Sequence, residues 1–593
     1  MSLVTGRYDT RALVYVLQQI VTRQEIVNSD YLFMKKIGFL STFILICFSQ
    51  SPAMAALDRL SDFALLDSSG QFHQLSRYQH RKALVLMAYS ADCPAMEEQL
   101  ESYQQVQIKY AGQGIEFLLI DSADLGRPKL ASYDLALPVL EDDGQLVSES
   151  FGISKTGEVL VLNPLRSTLY YKGSPNEALD SALAGVLEGS VNDTLNTTSA
   201  GCRVSYAAAE KHRITPPDYA TEVAPIIQKN CVGCHRQGGV GPFAMDSHIM
   251  MMGWSPMVRE VLLNKRMPPT QVDPYVGHSE DARYLSKQEL QTLIHWIDAG
   301  APRGEFVDDP LETVAVQDSG WVLGEPDFIA TAPEQEVPAT GILDYRYAFI
   351  DLSFTEDKWI SAVQYRAGDA SVLHHLMTFV TAEDEDFWGD ERDEPIATRR
   401  FVEGYSPGTD NVSVFTKGTG VLIPKGHRLA MQLHYVTNGQ ATIDATQLGL
   451  YFSDEAGLQE KLVQAVASRF ELPANTPNFP QQASYVFNQP AMITGVRARM
   501  NYRGKKMKFI VETAAGDQTE IFSVPAYNYG WQPHYILDDP LKIAAGSRVI
   551  VQGALDNSVS NPTNPDPDRA ISFGLESWEE MFTGYFSFHV INQ

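Results

Sequence analysis

Basic residues are scarce in this chain of 593 residues: 46 lysines and arginines stand against 73 aspartates and glutamates, which gives a formal net charge of -27. Nucleic acids and anionic membrane surfaces would repel such a protein. The charge balance therefore argues against both as partners, and it leaves a basic redox partner protein or a soluble small molecule as candidates. The chain should hold several domains, because a single core seldom grows beyond about 250 to 300 residues.

Long hydrophobic runs are missing after residue 55, so no membrane span is expected in that part of the chain. Before that point, Met34-Lys35-Lys36 supplies a positive start, Ile37 to Phe48 an apolar stretch, and Ala53-Met54-Ala55 a small-residue cleavage site. This is the pattern of a signal peptide over 34–55. Residues 1–33 are then expected to be an upstream extension, and the mature protein is expected to be periplasmic or secreted.

Cysteine is also scarce, with five in the chain, one of them (Cys47) inside the predicted signal peptide. Two others lie in Cys231-Val232-Gly233-Cys234-His235. Two thiols three positions apart can each bond a haem vinyl group, and the adjoining histidine is then delivered to the iron. A zinc site would need a second Cys/His pair at ligand spacing, and none follows; a disulfide loop is the other alternative. We therefore predict haem c, bound covalently by Cys231 and Cys234, with His235 as one axial ligand.

Helices are expected on both sides of this motif, over 220–229 and 287–299. Two helices that flank a haem crevice match a small all-α cytochrome c-like domain, which we place at 205–305. The sixth iron ligand of a low-spin electron carrier is a methionine or a histidine. Met267 is our choice, because the two prolines that follow it would hold its loop rigidly. The competing methionines are Met245, Met250, Met251, Met252 and Met257.

Residues 56–188 alternate short apolar strands with helices, which predicts a sheet covered by helices. Cys93 lies between a predicted strand, Ala83 to Tyr89, and a predicted helix, Met96 to Tyr110. A helix N-terminus at that point favours a thiolate. The segment resembles the thioredoxin and peroxiredoxin-like family, which implies an α/β thioredoxin-like domain with a redox thiol at Cys93.

This segment departs from the family at the chemically important positions. Met96 stands where thioredoxins have their second cysteine, and Leu86 and Ser90 stand where peroxiredoxins have a proline and a threonine. We predict a redoxin-like scaffold that has lost its dithiol, with a working thiol enzyme as the alternative. Cys93 and Cys202 are left either as a disulfide or as separate thiols. Residues 189–204 are small, polar and aperiodic, and they are predicted to be a linker.

After residue 320, short alternating runs appear between Gly, Pro, Asn and Asp turns. This pattern predicts two antiparallel β-sandwiches, at 320–460 and 461–593. One predicted strand carries His374 and His375, and another carries His434. Neighbouring strand residues face opposite sides, so joint ligation by the pair needs a local twist or an edge position. Three imidazoles from two strands would suit copper.

Three stretches of this β region carry a resemblance: His374-His375, Gln432-Leu433-His434-Tyr435 and Ser577-Trp578-Glu579-Glu580-Met581-Phe582. They are similar to the copper type II, ascorbate-dependent monooxygenases, the family of peptidylglycine alpha-hydroxylating monooxygenase and dopamine beta-monooxygenase. The resemblance implies that His374, His375 and His434 hold an electron-supplying copper. It also implies a second, oxygen-activating copper, held by a His-x-His pair and by a methionine that corresponds to Met581.

Arg499-Met500-Asn501 stands where the His-x-His pair is expected. Arginine cannot give up its proton to bind copper, and asparagine is a poor ligand for it. His534 and His589 belong to the same sandwich, but their spacing does not put them in this site. The second copper site is therefore predicted to be lost or strongly altered.

The three modules in this order resemble a bacterial multidomain family, and they favour an exported oxidoreductase. In the first hypothesis, haem c passes electrons to copper, with or without a reductant such as ascorbate, and O2 hydroxylates a small-molecule substrate. In the second, the protein transfers electrons or binds copper without monooxygenase turnover. In a third, the redoxin and the sandwiches are scaffolds around the cytochrome.

Overall fold

The computed structural model describes residues 59–191, 193–269, 272–279, 282, 284–313, 320–385, 400–407, 411–574 and 578–591. The predicted upstream extension and signal peptide lie outside these residues. Within the described part of the chain, no helix has the length and apolar character needed to cross a membrane.

The first part of the chain folds into a six-stranded sheet with helices packed on it. The strands are β1 (Ala64–Leu66), β2 (Phe72–Gln74), β3 (Ala83–Tyr89), β4 (Ile115–Asp121), β5 (Val139–Leu140), β6 (Val159–Asn163), β7 (Thr168–Gly173) and β8 (Leu195–Asn196). The helices are α1 (Met96–Tyr110), α2 (Arg127–Leu130), α3 (Leu146–Ser150) and α4 (Glu177–Glu188), with short 3-10 turns at Leu75–Tyr78 and Asp143–Gln145. The sheet order is β5-β4-β3-β6-β7-β8, while β1 and β2 form a separate hairpin.

Burial explains why the central strand could be recognised in the sequence. All seven residues of β3 are buried, and apolar clusters cover both faces of the sheet around it. A strand covered on both faces reads as a continuous apolar run rather than an alternating one. The predicted α/β domain is present, and β3 and α1 have the predicted bounds.

Residues 189–204, predicted as a linker, are partly built into this domain. Strand β8 pairs in parallel with β7, and Lys155 and Arg203 form an antiparallel bridge further on. Backbone pairing of this kind needs no apolar side chains. The polar, aperiodic composition therefore gave no sign of it.

The next part of the chain is helical. Its helices are α5 (Ala207–Ile214), α6 (Ala224–Asn230), α7 (His248–Leu263) and α8 (Lys287–Asp298), with one π-helical turn at Tyr219–Val223. The helix predicted at 220–229 is thus split between that turn and α6. Helix α8 begins at a capping box, in which Ser286 and Glu289 each bond the other's backbone. We did not predict α5 or α7, and α7 carries four of the competing methionines.

The first β-sandwich stacks two sheets over a shared apolar core. Its strands are β9 (Phe328–Thr331), β10 (Gln335–Val337), β11 (Arg346–Asp351), β12 (Lys358–Arg366), β13 (Leu373–Thr381), β14 (Arg400–Tyr405), β15 (Val412–Val414), β16 (Thr419–Ile423), β17 (Arg428–Tyr435), β18 (Thr442–Asp444), β19 (Gln447–Phe452) and β20 (Gln459–Glu460). One sheet has the order β11-β17-β13-β14 and the other the order β20-β16-β12-β19-β9, with β15 beside β12.

The second β-sandwich repeats this arrangement around its own core. Its strands are β21 (Leu462–Ala467), β22 (Glu471–Leu472), β23 (Phe479–Val486), β24 (Ala491–Met500), β25 (Gly504–Glu512), β26 (Gln518–Val524), β27 (Tyr535–Ile543), β28 (Arg548–Leu555), β29 (Ile571–Ser572) and β30 (Phe582–Val590). The sheets are β21-β30-β24-β27 and β23-β28-β25-β26.

The two sandwiches share a buried ionic cluster centred on Glu403. Its carboxylate lies 2.7 Å from Lys461 Nζ, 3.3 Å from His534 Nδ1 and 4.0 Å from Arg497 Nη2. Burial acts to raise the pKa of Glu403, but the charges of Lys461, His534 and Arg497 outweigh it and hold the pKa below its usual range. Glu403 is on β14, and its partners belong to the second sandwich or its edge, so the cluster joins the two.

Glu403→Gln should destabilise the protein by about 3 kcal/mol, because it leaves Lys461 and Arg497 buried without a counter-charge. The loss can be measured as a lower urea midpoint. The stabilisation is present above the unfolded glutamate pKa of about 4.3 and fades as the pH falls below it, so the two proteins should converge in acid. Glu460→Gln is the control, since its partly exposed pair with Arg400 should contribute at most about 1 kcal/mol. Equal midpoints for the two variants would contradict this account.

Candidate metal centre and haem site

A β-bulge brings the two adjacent histidines to one side of their strand. In the pairing of β13 with β17, Leu373 lies opposite Tyr435 and His375 opposite His434. Two steps along β13 therefore match one step along β17, and His374 is the extra residue. A bulge re-aims the side chain it carries, which is the local twist that joint ligation by the pair required.

The three imidazoles converge through their Nδ1 atoms. His374 Nδ1 lies 2.9 Å from His375 Nδ1 and 3.2 Å from His434 Nδ1. Imidazole–metal bonds are about 2.0–2.1 Å long, so nitrogens at these separations can share one ion. A search of the described residues for groups of three or more His, Cys, Asp or Glu side chains that could hold a metal ion finds these three histidines.

The surroundings hold these rings in place and keep them neutral. The backbone of Gly530 hydrogen-bonds His374, and the backbone of Leu343 hydrogen-bonds His434. Hydrogen bonds from ligand imidazoles to backbone carbonyls are the usual support of a metal site. Burial lowers the pKa of His374 to about 4 and that of His434 to about 3. A metal needs neutral imidazoles, so the donor set fits copper in either oxidation state.

Aromatic rings enclose the histidines. The ring of Tyr345 lies 4.8 Å from His434 and 5.7 Å from His375, and Tyr529 lies 6.0 Å from both His374 and His434. Tyr529 belongs to the second sandwich, so both sandwiches enclose the site. Nothing in the sequence around either tyrosine pointed to it.

Arg499 extends from the second sandwich into the first. Its guanidinium donates to Met377 Sδ at 2.6 Å and to Gln432 Oε1 at 3.0 Å, and it lies 5.2 Å from the centre of the Tyr345 ring. Met377 and Gln432 face each other in the β13–β17 register, two residues along from His375 and His434. A strand rises about 3.3 Å per residue, so the Met377–Gln432 pair that holds the cation lies roughly 7 Å along the strands from the His375–His434 pair.

Hydrogen-bonded protein groups fill the position where the monooxygenase resemblance would place a second copper. Glu580 accepts hydrogen bonds from the backbone N–H groups of Asn501, Arg503 and Met581. Met581 is buried, directly before the Phe582–Met500 pair of β30 and β24. His534 bonds Glu403 and Ser587 Oγ instead of joining Arg499 or Asn501, and His589 is on β30 opposite Met492. The donor set at this position does not suit copper.

The Cys-x-x-Cys-His stretch begins where α6 ends. Neither Cys231 nor Cys234 forms a disulfide, and burial raises the pKa of Cys231 to about 12. His235 is buried, and its Nδ1 lies 3.1 Å from the carbonyl of Phe243. That bond directs the Nδ1 proton to the carbonyl and leaves Nε2 for a metal, which is the support an axial histidine needs. These residues fit a covalently bound haem.

The assignment of Met267 as the sixth ligand of the haem iron remains a prediction. It is 37% exposed and lines a cavity of ≈ 400 Å³ together with Leu262, Leu263 and Leu290. In the described part of the chain, no contact joins it to His235. Met245 is buried, and its backbone N–H donates to the His235 carbonyl at 2.9 Å, so this competitor is held beside the motif.

The charges of the Cys-x-x-Cys-His region act on Tyr405. Burial raises the pKa of Tyr405, Cys234 raises it further, and Arg236 opposes this rise. Tyr405 is at the end of β14 and pairs with Leu376, the neighbour of His375 on β13. Tyr405 therefore lies on the strand next to the one that carries His375, one strand spacing of about 5 Å away.

Cys93 and Cys202 form a disulfide across 109 residues. This resolves the alternative that the sequence left open. Cys93 is buried and lies four residues after the end of β3, whereas Cys202 is exposed. Cys202 therefore supplies the second cysteine that the helix after Cys93 lacks.

The fold around Cys93 defines a thioredoxin-like domain, and comparison with known proteins agrees. A family model described as the AhpC/TSA family matches residues 57–172. Residues 57–172 are thus an AhpC/TSA thioredoxin-like domain, while the remainder of the described chain is one helical stretch followed by β-rich sheets. No curated protein matches the chain.

Solved structures similar to this chain correspond to about a quarter of it. One is a hypothetical protein from Sinorhizobium meliloti, 24% identical, covering 26% of this chain and 94% of its own, with a TM-score of 0.23. Peroxidoxin BcpB from Mycobacterium tuberculosis is 21% identical over 23% of this chain and 97% of its own, with a TM-score of 0.20. A thiol:disulfide interchange protein from Chlorobium tepidum is 17% identical over 22% of this chain and 98% of its own, also with a TM-score of 0.20.

Proposed function

We propose that this protein is an exported oxidoreductase that binds one haem c and one copper ion and transfers single electrons between the two sites. The convergence of three Nδ1 atoms, on His374 and on the buried His375 and His434, is the observation that carries the proposal. When bound, haem and copper each supply one-electron redox chemistry. Electrons would enter from a small reductant such as ascorbate or from a partner protein.

The protein's own residues prepare both sites. Phe243 orients His235 through its carbonyl, and the backbones of Gly530 and Leu343 orient two of the copper-site imidazoles. Ligands that are held in place before the metal binds need little rearrangement when its charge changes. Tyr405 supports a connection between the two sites, because Cys234 acts on it electrostatically and it lies on the strand next to the one that carries His375.

A copper-dependent monooxygenase that uses O2 on a small substrate is the second candidate. The buried Met581 beside Asn501 in a two-sandwich architecture favours it. Its difficulty is Arg499, because the guanidinium is committed to Met377 and Gln432 and cannot act as a ligand. We therefore rank electron transfer without oxygen activation above hydroxylation.

The proposal can be tested by following the haem absorbance after rapid mixing. Holoprotein with reduced haem and oxidised copper should show haem oxidation in a single phase whose rate does not depend on protein concentration. His434→Ala holoprotein, which keeps its haem, should lack this phase. A phase of equal rate and amplitude in both proteins would contradict transfer between the sites.

Arg499→Met should lower the reduction potential of the bound copper. A buried cation held two strand residues, about 7 Å, along from the His375–His434 pair disfavours the more highly charged oxidised ion by about 1–2 kcal/mol, equivalent to about 40–90 mV for one electron. The potential can be measured by redox titration of the copper spin-resonance signal. Arg469→Met is the control, because this exposed arginine stacks on Phe573 away from the histidines. An unchanged potential in Arg499→Met would show that the cation does not act on the site.

A further inference from the structure

The disulfide fastens a short segment across the redoxin-like domain. Residues 199–204, here called the strap, run beside residues 154–157. The backbone N–H of Thr156 donates to the Cys202 carbonyl at 2.8 Å, and that of Val204 donates to the Ser154 carbonyl at 3.0 Å. Together with the isolated antiparallel Lys155–Arg203 bridge, these bonds pair the strap with residues 154–157, outside the named strands.

Side chains complete this attachment. The Cys202 N–H lies 3.0 Å from Thr156 Oγ1 and 3.3 Å from Cys93 Sγ, and Lys155 Nζ donates to the Ser199 carbonyl at 2.7 Å. A Cβ on Gly201 would lie 1.7 Å from the Thr156 carbonyl, so only glycine allows the strap to approach this closely. The strap covers Cys93, which is 5% exposed, while Cys202 and Arg203 face solvent.

Little apart from the disulfide resists opening of the strap. Val204 joins one of the apolar clusters of the domain, Ser199 is buried, and the remaining contacts of the strap are a few hydrogen bonds. Segments with few apolar contacts and exposed backbone bonds open locally at low free-energy cost. The covalent bond is therefore the main constraint that keeps the strap closed.

We propose that the Cys93–Cys202 disulfide is a redox-controlled latch, which a dithiol reductant opens to release the strap and uncover Cys93. This inference does not depend on haem or copper. It differs from the expectation of a redoxin scaffold without a working thiol pair, because the second cysteine comes from outside the Cys93 helix.

The exchange has a defined direction. A thiolate of the reductant attacks the exposed Cys202 sulfur, the Cys93–Cys202 bond breaks, and Cys93 leaves as a thiolate. The Cys202 N–H next to Cys93 Sγ and the N-terminus of α1 both favour that thiolate. The second thiol of the reductant then attacks its own mixed disulfide and releases Cys202. Two electrons and two protons reach the cysteine pair, and the reductant is left as a disulfide.

Limited trypsin digestion of the folded full-length protein tests the latch. Cleavage at Arg203 should be at least about tenfold faster after reduction with dithiothreitol, because cleavage follows the open population. Arg166, in the exposed turn between β6 and β7, is the internal control and should be cut equally in both states. Cys202→Ser without reductant should behave like the reduced protein.

A second measurement identifies the sulfur that is attacked. Glutathione, which has one thiol, should be trapped on Cys202 and not on Cys93, as read by peptide mass spectrometry. Three results would overturn the proposal: equal cleavage at Arg203 in oxidised and reduced protein, glutathione on Cys93, or a disulfide that dithiothreitol reduces only after circular dichroism shows unfolding.

Discussion

His434→Ala is expected to reduce copper binding from one ion per chain to none. His434 supplies one of three converging nitrogens, and its Nδ1 lies 3.2 Å from that of His374. With two imidazoles left, the site loses a third of its donors as well as the ring that the Leu343 backbone holds in place. Loss of a ligand costs more than the 10- to 100-fold in affinity that is typical for loss of an outer partner.

The measurement is copper content after dialysis against a weak chelator, with haem absorbance recorded on the same sample. His589→Ala is the matched control, since this histidine is on β30 in the second sandwich. It should keep its copper. If His434→Ala keeps its copper and His589→Ala loses it, the metal site has been assigned to the wrong sandwich.

Replacement of both Cys231 and Cys234 by alanine should abolish covalent haem. Each thiol would supply one thioether bond to the haem, and neither is tied up in a disulfide. The protein should lose haem staining on a denaturing gel, while the histidine site keeps its copper.

Cys93→Ser combined with Cys202→Ser is the control for this experiment. It removes the disulfide in the redoxin-like domain and should leave haem attachment intact. Covalent haem that persists in the Cys231/Cys234 variant would refute the assignment of the motif. Loss of haem in the Cys93/Cys202 variant would show instead that the redoxin-like domain is needed for attachment.

Strands with strong apolar patterns could be predicted from the sequence. Strands β3, β17 and β19 begin and end where the sequence predicted. Each strand packs into an apolar core, so its buried side chains mark its length in the sequence. The three histidines proposed to bind copper could also be identified from the sequence, since they lie on two predicted strands in a local pattern. The bulge at His374 then provided the twist that the pair required.

Features that depend on contacts between distant segments could not be predicted in this way. The sequence shows that Arg499 is not a copper ligand, but only the packing of the two sandwiches shows that its guanidinium extends to Gln432. Likewise, residues 199–204 pair through their backbones, and backbone pairing leaves no mark on composition. Helix α7 was missed because Gly253 and Pro256 interrupt its pattern.

Metal and haem content of the protein purified from its native host is the most direct test of the account. Elemental analysis of iron and copper, with spin resonance of the oxidised protein, gives both numbers from one preparation. The account predicts one covalent haem and one copper per chain, with the copper bound by nitrogen ligands. Two coppers per chain would contradict it, because a second ion would have to bind where Arg499 and Asn501 stand, and that result would restore the monooxygenase hypothesis.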